Sequence, residues 1–145
     1  MANIEEIIER GNEAFNRHDV DALMQLYGDN AEFRGPGGMV ARGHDEIRRF
    51  TEGWIQGFPD AKITSHNRII SGNTVVEEGV FTGTHTGIFP TPMGDIPPTG
   101  KKVEGEFVDV FEIENDKVVS DRLTFDRMQL MEQLGLVPAP AGAGA

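Results

Sequence analysis

Two aspartates lie among large apolar side chains in residues 105–126, GEFVDVFEIENDKVVSDRLTFD. Asp109 stands between Phe107 and Phe111 at a spacing of two residues, which places all three side chains on one face of a strand. An ionised carboxylate buried on such a face is strongly disfavoured unless it is paired or protonated. A carboxyl group held in this way is suited to act as a general acid or base.

A hairpin turn at Asn115 and Asp116 predicts which side chains of this segment face each other. The predicted pairs are Ile113 with Val119, Phe111 with Asp121, Asp109 with Leu123, and Phe107 with Phe125. The odd-numbered face then carries both carboxylates among apolar groups, and we interpret it as the concave face. Asp121 is the weaker catalytic candidate, because it lies near the end of the hairpin, where we expect contact with solvent.

His85 is the third candidate catalytic residue. It shares the odd-numbered face of the preceding predicted strand, residues 74–86, with Glu77 and Phe81. A histidine and a carboxylate on neighbouring strands can form an acid/base pair, so we expect His85 to orient Asp109 or to stabilise an enolate. Two structural alternatives stay open: His85 as a surface or satisfied residue, and Asp109 as a carboxylate held by backbone amides or an arginine.

The elements that position these residues are helices first and strands afterwards. Helical periodicity is found at residues 4–17, 19–27 and 44–58, and Asp126 with Gln129 can cap a last helix. Strand periodicity covers residues 31–34, 61–70, 74–86, 102–113 and 118–125. The pattern predicts an α+β fold in which a curved antiparallel sheet wraps over the three N-terminal helices. Gly79 and Gly83 then mark a bend in the strand or a close approach of another group. The proline-rich loop 88–100 is expected to form a semi-rigid lip at the rim of the curved sheet.

A pocket between the curved sheet and the helices needs an apolar lining, and aromatic residues on both can supply it. The candidate substrate-binding residues are Phe15, Tyr27, Phe33, Trp54, Phe81, Phe107, Phe111 and Leu123. Aromatic residues at helical spacing are also typical of an ordinary core. We therefore expect a pocket for an apolar small molecule, with core packing as the alternative.

Composition restricts the classes of function. The chain has 145 residues, which suits a single domain over residues 1–137 with a flexible low-complexity tail at 138–145. A net charge of -11 gives nucleic acid and anionic membranes little reason to bind. With no cysteine, thiolate zinc sites and disulfides are excluded, and we expect a cytoplasmic protein. The four histidines show no paired spacing typical of a metal site.

Several segments carry a resemblance to a known family. They are GTHTG at 83–87, IPPTGKKVEGE at 96–106, FEIENDKVVSDR at 111–122 and FDRMQLMEQLG at 125–135. In this order they resemble the SnoaL-like polyketide cyclases, within the superfamily of nuclear transport factor 2 and ketosteroid isomerase. The resemblance implies a cone-shaped α+β barrel with a deep apolar pocket, a homodimer or higher oligomer, and aldol ring closure of a polyketide ester without metal or cofactor.

The resemblance also shows where this chain departs from its relatives. The acid/base aspartate of such cyclases falls on Leu123, and a histidine able to face it falls on Asp109. Asp109 also matches the protonated oxyanion-hole aspartate of ketosteroid isomerase, but that enzyme's proton-abstracting aspartate falls on Gly35. The arginine and two aspartates of limonene-type epoxide hydrolases fall on Gly79, Phe81 and Leu123, which disfavours that activity.

Three functions therefore compete. The first is a cofactor-independent enzyme that performs acid/base chemistry on an apolar carbonyl compound, with Asp109 transferring the proton. The second is a hydrophobic-ligand-binding protein in which Leu123 has removed the chemistry. The third is a dimerising module that packs through the outer face of the sheet, with Val108 and Val110. The volume of the pocket and a charged partner of Asp109 inside it distinguish them: a sealed pocket, or Asp109 in solvent, favours the second and third functions.

Overall fold

A computed structural model of the protein describes residues 3–138. The predicted tail at 138–145 lies outside the described residues except for Pro138. The helices are α1 Ile4–Asn16, α2 Val20–Met24, α3 Gly43–Gly57 and α4 Arg127–Gln133. Among residues 3–138, no helix is both long and apolar enough to cross a membrane.

The strands form one large sheet and one small one. They are β1 Tyr27–Gly35, β2 Met39–Arg42, β3 Lys62–Ser71, β4 Thr74–Thr84, β5 Phe89–Thr91, β6 Gly94–Ile96, β7 Lys102–Glu114 and β8 Lys117–Phe125. The large sheet is curved and open, with the order β2-β1-β8-β7-β4-β3. The predicted α+β class, with the sheet over the N-terminal helices, is confirmed. One expectation is corrected: β1 runs parallel to β8, while the other pairs are antiparallel.

Local sequence explains where the helices begin and end. Asn3 caps α1 by accepting the Glu6 amide at 2.7 Å, and Asp126 caps α4 in the same way through Gln129 at 2.9 Å. Helix α2 is shorter than predicted because the chain enters β1 at Tyr27. The early start of β1 is decisive for the site, since it places the Tyr27 side chain against β8.

The β7–β8 hairpin fixes the register of the central sheet. The backbone at Asn115 and Asp116 has φ of 51° and 61°, the left-handed conformation of a tight two-residue turn. The predicted pairing of Asp109 with Leu123 and of Phe111 with Asp121 is confirmed, as is that of Phe107 with Phe125. Ile113 pairs with Val118 instead of Val119, because a bulge follows Glu112.

Close packing on the inner sheet face depends on Gly79 in β4. A Cβ atom there would lie 2.5 Å from the Thr64 carbonyl oxygen and 2.7 Å from the Phe107 ring. The predicted close approach is therefore real, but the group that approaches is Phe107. The proline-rich loop 88–100 contains the short hairpin of β5 and β6, which was not predicted because proline is uncommon within strands.

Strand β3 forms one edge of the large sheet and is mostly exposed. Its pairing with β4 shifts register between Ser65 and Asn67, which leaves His66 in a bulge. Inside the sheet, the core divides into two clusters, one around Ile47 and Val75 and the other around Phe58. The space between these clusters is the candidate site.

Candidate functional site

A cavity of about 170 Å³ lies between the helices and the inner face of the sheet. For comparison, an engineered apolar cavity of roughly 150 Å³ binds benzene. All eight residues predicted to line a pocket do line this cavity: Phe15, Tyr27, Phe33, Trp54, Phe81, Phe107, Phe111 and Leu123. The cavity is thus mainly aromatic and aliphatic.

The aromatic wall of the cavity is organised around Trp54 of α3. Its ring meets Phe81 and Phe125 edge to face, with centroid distances of 5.1 and 5.6 Å. Such contacts hold large side chains in defined orientations and stabilise them beyond simple burial. The wall is therefore a shaped apolar surface that excludes water from the groups opposite.

A hydrogen bond between Tyr27 and Asp121 forms the polar end of the cavity. The Tyr27 hydroxyl donates to Asp121 Oδ2 at 2.6 Å, and both residues are buried. The expectation that Asp121 faces solvent is wrong, because β1 pairs alongside β8 at this level, with Phe33 opposite Asp121, and covers it. Burial raises the pKa of Tyr27 well above 10.0, and the Asp121 charge adds to the effect, so the phenol remains a donor.

Asp109 lies one diagonal step from Asp121 on the same face of the β7–β8 hairpin. Diagonal neighbours on a sheet face are about 7–8 Å apart, within reach of their side chains. Burial raises the pKa of Asp109 well above its ordinary value, and the nearby Asp121 charge raises it further. Burial also raises the pKa of Asp121, against the stabilising hydrogen bond from Tyr27. Because Tyr27 donates to Asp121, the charge of the pair is favoured on Asp121 and the proton on Asp109.

Glu77 is a third buried carboxylate that the sequence did not single out as a site residue. It pairs directly with Asp109 across β4 and β7, lines the cavity and is 1 % exposed. Arg68 binds it through Nη2 at 2.8 Å, and Asn12 through Nδ2 at 2.8 Å. The available signal was its place on the odd-numbered face with Phe81, but the arginine partner on β3 was not visible in that pattern.

His85 is not part of this group, contrary to the prediction that it would orient Asp109. The residue opposite Asp109 is Glu77, and His85 lies eight residues further on, roughly 26 Å of extended chain. His85 is fully buried beside Phe58, and its Nδ1 lies 2.9 Å from Thr99 Oγ1. Burial lowers its pKa, so the ring is a neutral core group behind the lip.

The polar groups of the cavity differ in what they offer a ligand. Asp109 Oδ1 and Asp121 Oδ1 have no hydrogen-bond partner within residues 3–138. In the same part of the chain, no set of three or more His, Asp or Glu side chains is arranged to hold a metal ion. The arrangement can donate a proton from Asp109 and accept one at a carboxylate, which is the equipment for acid/base chemistry.

Comparison with known proteins places this geometry in a family. The model of the SnoaL-like polyketide cyclase family matches residues 5–134. No curated protein sequence shows a significant match.

Solved structures share the fold. A proposed SnoaL-like polyketide cyclase from Jannaschia is 20% identical, with 93% of each chain covered and a TM-score of 0.81. IdmH, a proposed polyketide cyclase from Streptomyces antibioticus, is 24% identical over 92% of this chain and 99% of its own, with a TM-score of 0.77. TerC, co-crystallised with polyporic acid, is 18% identical over 91% and 98%, with a TM-score of 0.73. The protein therefore belongs to the SnoaL-like polyketide cyclase family.

Proposed function

We propose that this protein is a cofactor-independent enzyme of the cyclase or isomerase type that performs acid/base chemistry on an apolar carbonyl compound. The observation that carries the proposal is the buried Asp109 carboxyl, enclosed in an aromatic cavity beside the Tyr27–Asp121 hydrogen bond. The complex of TerC with polyporic acid supports small-molecule binding by this fold.

The proposed chemistry follows from the polarity of the cavity. A substrate carbonyl that points at Asp109 accepts its proton or hydrogen bond as negative charge develops on the oxygen. The apolar surface formed by Phe107, Phe111 and Leu123 excludes water, which strengthens that interaction. The Tyr27 hydroxyl stabilises the charge of Asp121, and this fixes the proton on Asp109.

The lining also indicates the class of substrate. The residues around the cavity include the carboxyl groups of Glu77, Asp109 and Asp121, and within residues 3–138 none of the lining residues is Lys, Arg or His. A ligand with a free carboxylate would meet further carboxyl groups at the polar end, where the nearby Arg68 is already paired with Glu77 and Glu9. A ketone or ester therefore suits the site better than a free acid.

One observation favours a second function, the binding of a hydrophobic ligand without chemistry. Leu123, which by our alignment replaces the aspartate of related cyclases, lies directly opposite Asp109. An apolar residue there supports ligand binding as well as catalysis. The outer face of the sheet, where Val108 is 38% exposed, supports the third reading, a dimerising module.

Exchange of ketone α-protons for solvent deuterium distinguishes catalysis from binding. The probe is 2-tetralone in D2O, followed by proton NMR. The wild-type protein is expected to accelerate exchange, and Asp109→Asn to lose about 10²-fold, the lower end of what one acid/base group contributes. Glu114→Gln, an exposed change on the same strand, serves as the control with unchanged rate. A rate that Asp109→Asn leaves unaltered would exclude the proposed role, and binding without any exchange would favour the second function.

A further inference from the structure

We infer that Glu77 is the proton-accepting base of this site, working opposite Asp109 across β4 and β7. The inference rests on the proposed function and supplies the group that it lacks. The proposed function assigns Asp109 the role of proton donor, and the positions of related catalytic aspartates are occupied by Leu123 and Gly35. A second carboxylate in reach of the same carbonyl compound is therefore needed.

The hydrogen bonds of Glu77 leave one of its oxygens available. Asn12 Nδ2 donates to Oε2 at 2.8 Å, and Arg68 donates to the same atom from Nε at 3.2 Å and Nη2 at 2.8 Å. Within residues 3–138 no protein hydrogen bond is directed to Oε1. Because Glu77 lines the cavity, the oxygen that is left over is the one that a ligand can meet.

Arg68 pairs with Glu77 and fixes it in place. Its side chain is only 11% exposed, and its Nη1 also donates to Glu9 at 2.7 Å on the outer side. A guanidinium forms strong charge-assisted hydrogen bonds with a carboxylate, and its neighbouring N–H donors hold that carboxylate in one orientation. Glu77 is thus held in a fixed orientation, and Arg68 is its positioning residue.

Asp121 is less suited to the role. Its Oδ2 is already bonded to the Tyr27 hydroxyl, and its Oδ1 is enclosed without a partner. Glu77 also lies directly opposite Asp109 in the sheet, where side chains are about 4.5–5.5 Å apart at Cβ. An acid and a base on neighbouring strands can then act on two adjacent atoms of one substrate.

The step that this geometry permits is enolisation. The bond between the α-carbon and its hydrogen breaks, and the proton moves to Glu77 Oε1. The electron pair of that bond forms the carbon–carbon double bond, and the carbonyl π pair moves to the oxygen, which takes a proton or hydrogen bond from Asp109. Return of both protons restores the enzyme, and the enol carbon is the nucleophile available for ring closure.

The test compares Glu77→Gln with Glu78→Gln, the neighbour on the opposite, exposed face of β4. Exchange of 2-tetralone protons in D2O is expected to fall at least about 10²-fold in Glu77→Gln and to stay unchanged in Glu78→Gln. Binding of 2-naphthol, a stable enol analogue whose own fluorescence reports it, is expected to stay within about threefold in both.

Two more variants separate the base from a structural role. Glu77→Asp retains a carboxylate and is expected to recover part of the exchange rate, at least about tenfold above Glu77→Gln. Arg68→Lys keeps the charge but loses the paired N–H donors that orient Glu77, so kcat is expected to fall with little change in KM.

The outcomes distinguish this inference from the proposed function. Exchange that persists in Glu77→Gln but is lost in Asp109→Asn overturns the role of Glu77 and leaves the proposed function standing. Absence of exchange in the wild-type protein overturns both. Loss of 2-naphthol binding together with exchange in a Glu77→Gln protein that melts like wild type assigns Glu77 to ligand binding and also overturns its role as base.

Discussion

Asp109 combines a functional advantage with an energetic cost. Burial and the neighbouring Asp121 charge raise the pKa of its carboxyl and so favour the protonated form, whereas an unfolded chain releases that proton near the ordinary aspartate pKa. The site therefore stores its proton at the expense of stability at neutral pH. This trade is common where a functional group is placed against its own solvation preference.

The pH dependence of stability tests the protonation of Asp109. Because the folded-state pKa is raised, its contribution is fully present below about pH 4 and is lost progressively as pH rises towards the folded-state pKa. Asp109→Asn removes this dependence. We expect the melting temperature of the variant, relative to wild type, to increase between pH 5 and pH 8, as measured by circular dichroism.

The matched control for this measurement is Asp95→Asn, an exposed carboxylate on β6. Its difference from wild type should be flat over the same pH interval. A flat difference for Asp109→Asn as well would show that Asp109 is ionised in the folded protein.

The residue pattern predicted the position of Asp109 in the sheet but not that of His85, for one physical reason. A two-residue turn at Asn115 and Asp116 links β7 to β8, so pairing across that hairpin follows from counting. The connection from β4 to β7 is long and irregular, and it leaves the register between those strands undetermined by local sequence. For that reason Glu77, and not His85, is the residue opposite Asp109.

At the level of elements, the fold was predicted wherever periodicity is local. The three N-terminal helices and the long strands follow from spacing, whereas the parallel pairing of β1 with β8 joins segments far apart in the chain. That pairing encloses Asp121 and brings Tyr27 to it. The site therefore depends on a long-range contact that no short sequence motif predicts.

Strand β4 depends on the absence of a side chain at Gly79. Gly79→Ala would place a methyl group 2.5 Å from the fixed Thr64 carbonyl oxygen and against Phe107. We expect it to lower the free energy of unfolding by about 1–3 kcal/mol, measured by urea denaturation. Gly105→Ala on β7 is the control, since its nearest contact is Gln129 at 3.5 Å and little change is expected. Equal stability of both variants would contradict this packing.

At the scale of the whole molecule, the chain carries a net negative charge, and the ionisable residues that line its cavity are also mainly acidic. Trp54 is the single tryptophan of the sequence and lies in the cavity wall, so its fluorescence reports an occupant. Composition predicted an acidic protein, and the pattern of aromatic residues predicted an apolar site. A cytoplasmic location, a single domain over residues 1–137 and a homo-oligomer stay predictions.

The charge of the cavity predicts selectivity between matched ligands. Methyl 4-tert-butylbenzoate is expected to bind at least about tenfold more tightly than 4-tert-butylbenzoate, a difference of roughly 1.4 kcal/mol, because the acid brings a charged carboxylate to a lining that already contains the carboxyl groups of Glu77, Asp109 and Asp121. Titration at pH 7.5 with Trp54 fluorescence measures both, and Trp54→Phe removes the signal as a control. Equal affinities would show that the carboxylates do not face the ligand.

The bulge at His66 has a consequence for how copies of this chain meet. A long exposed edge strand offers unpaired amides and carbonyls that can recruit another strand, the first step towards aggregation. In β3 the shift between Ser65 and Asn67 interrupts that regular row, and the charged Lys62 and Arg68 lie on either side of it. The sheet can thus stay open to keep its cavity without offering a continuous template for further strands.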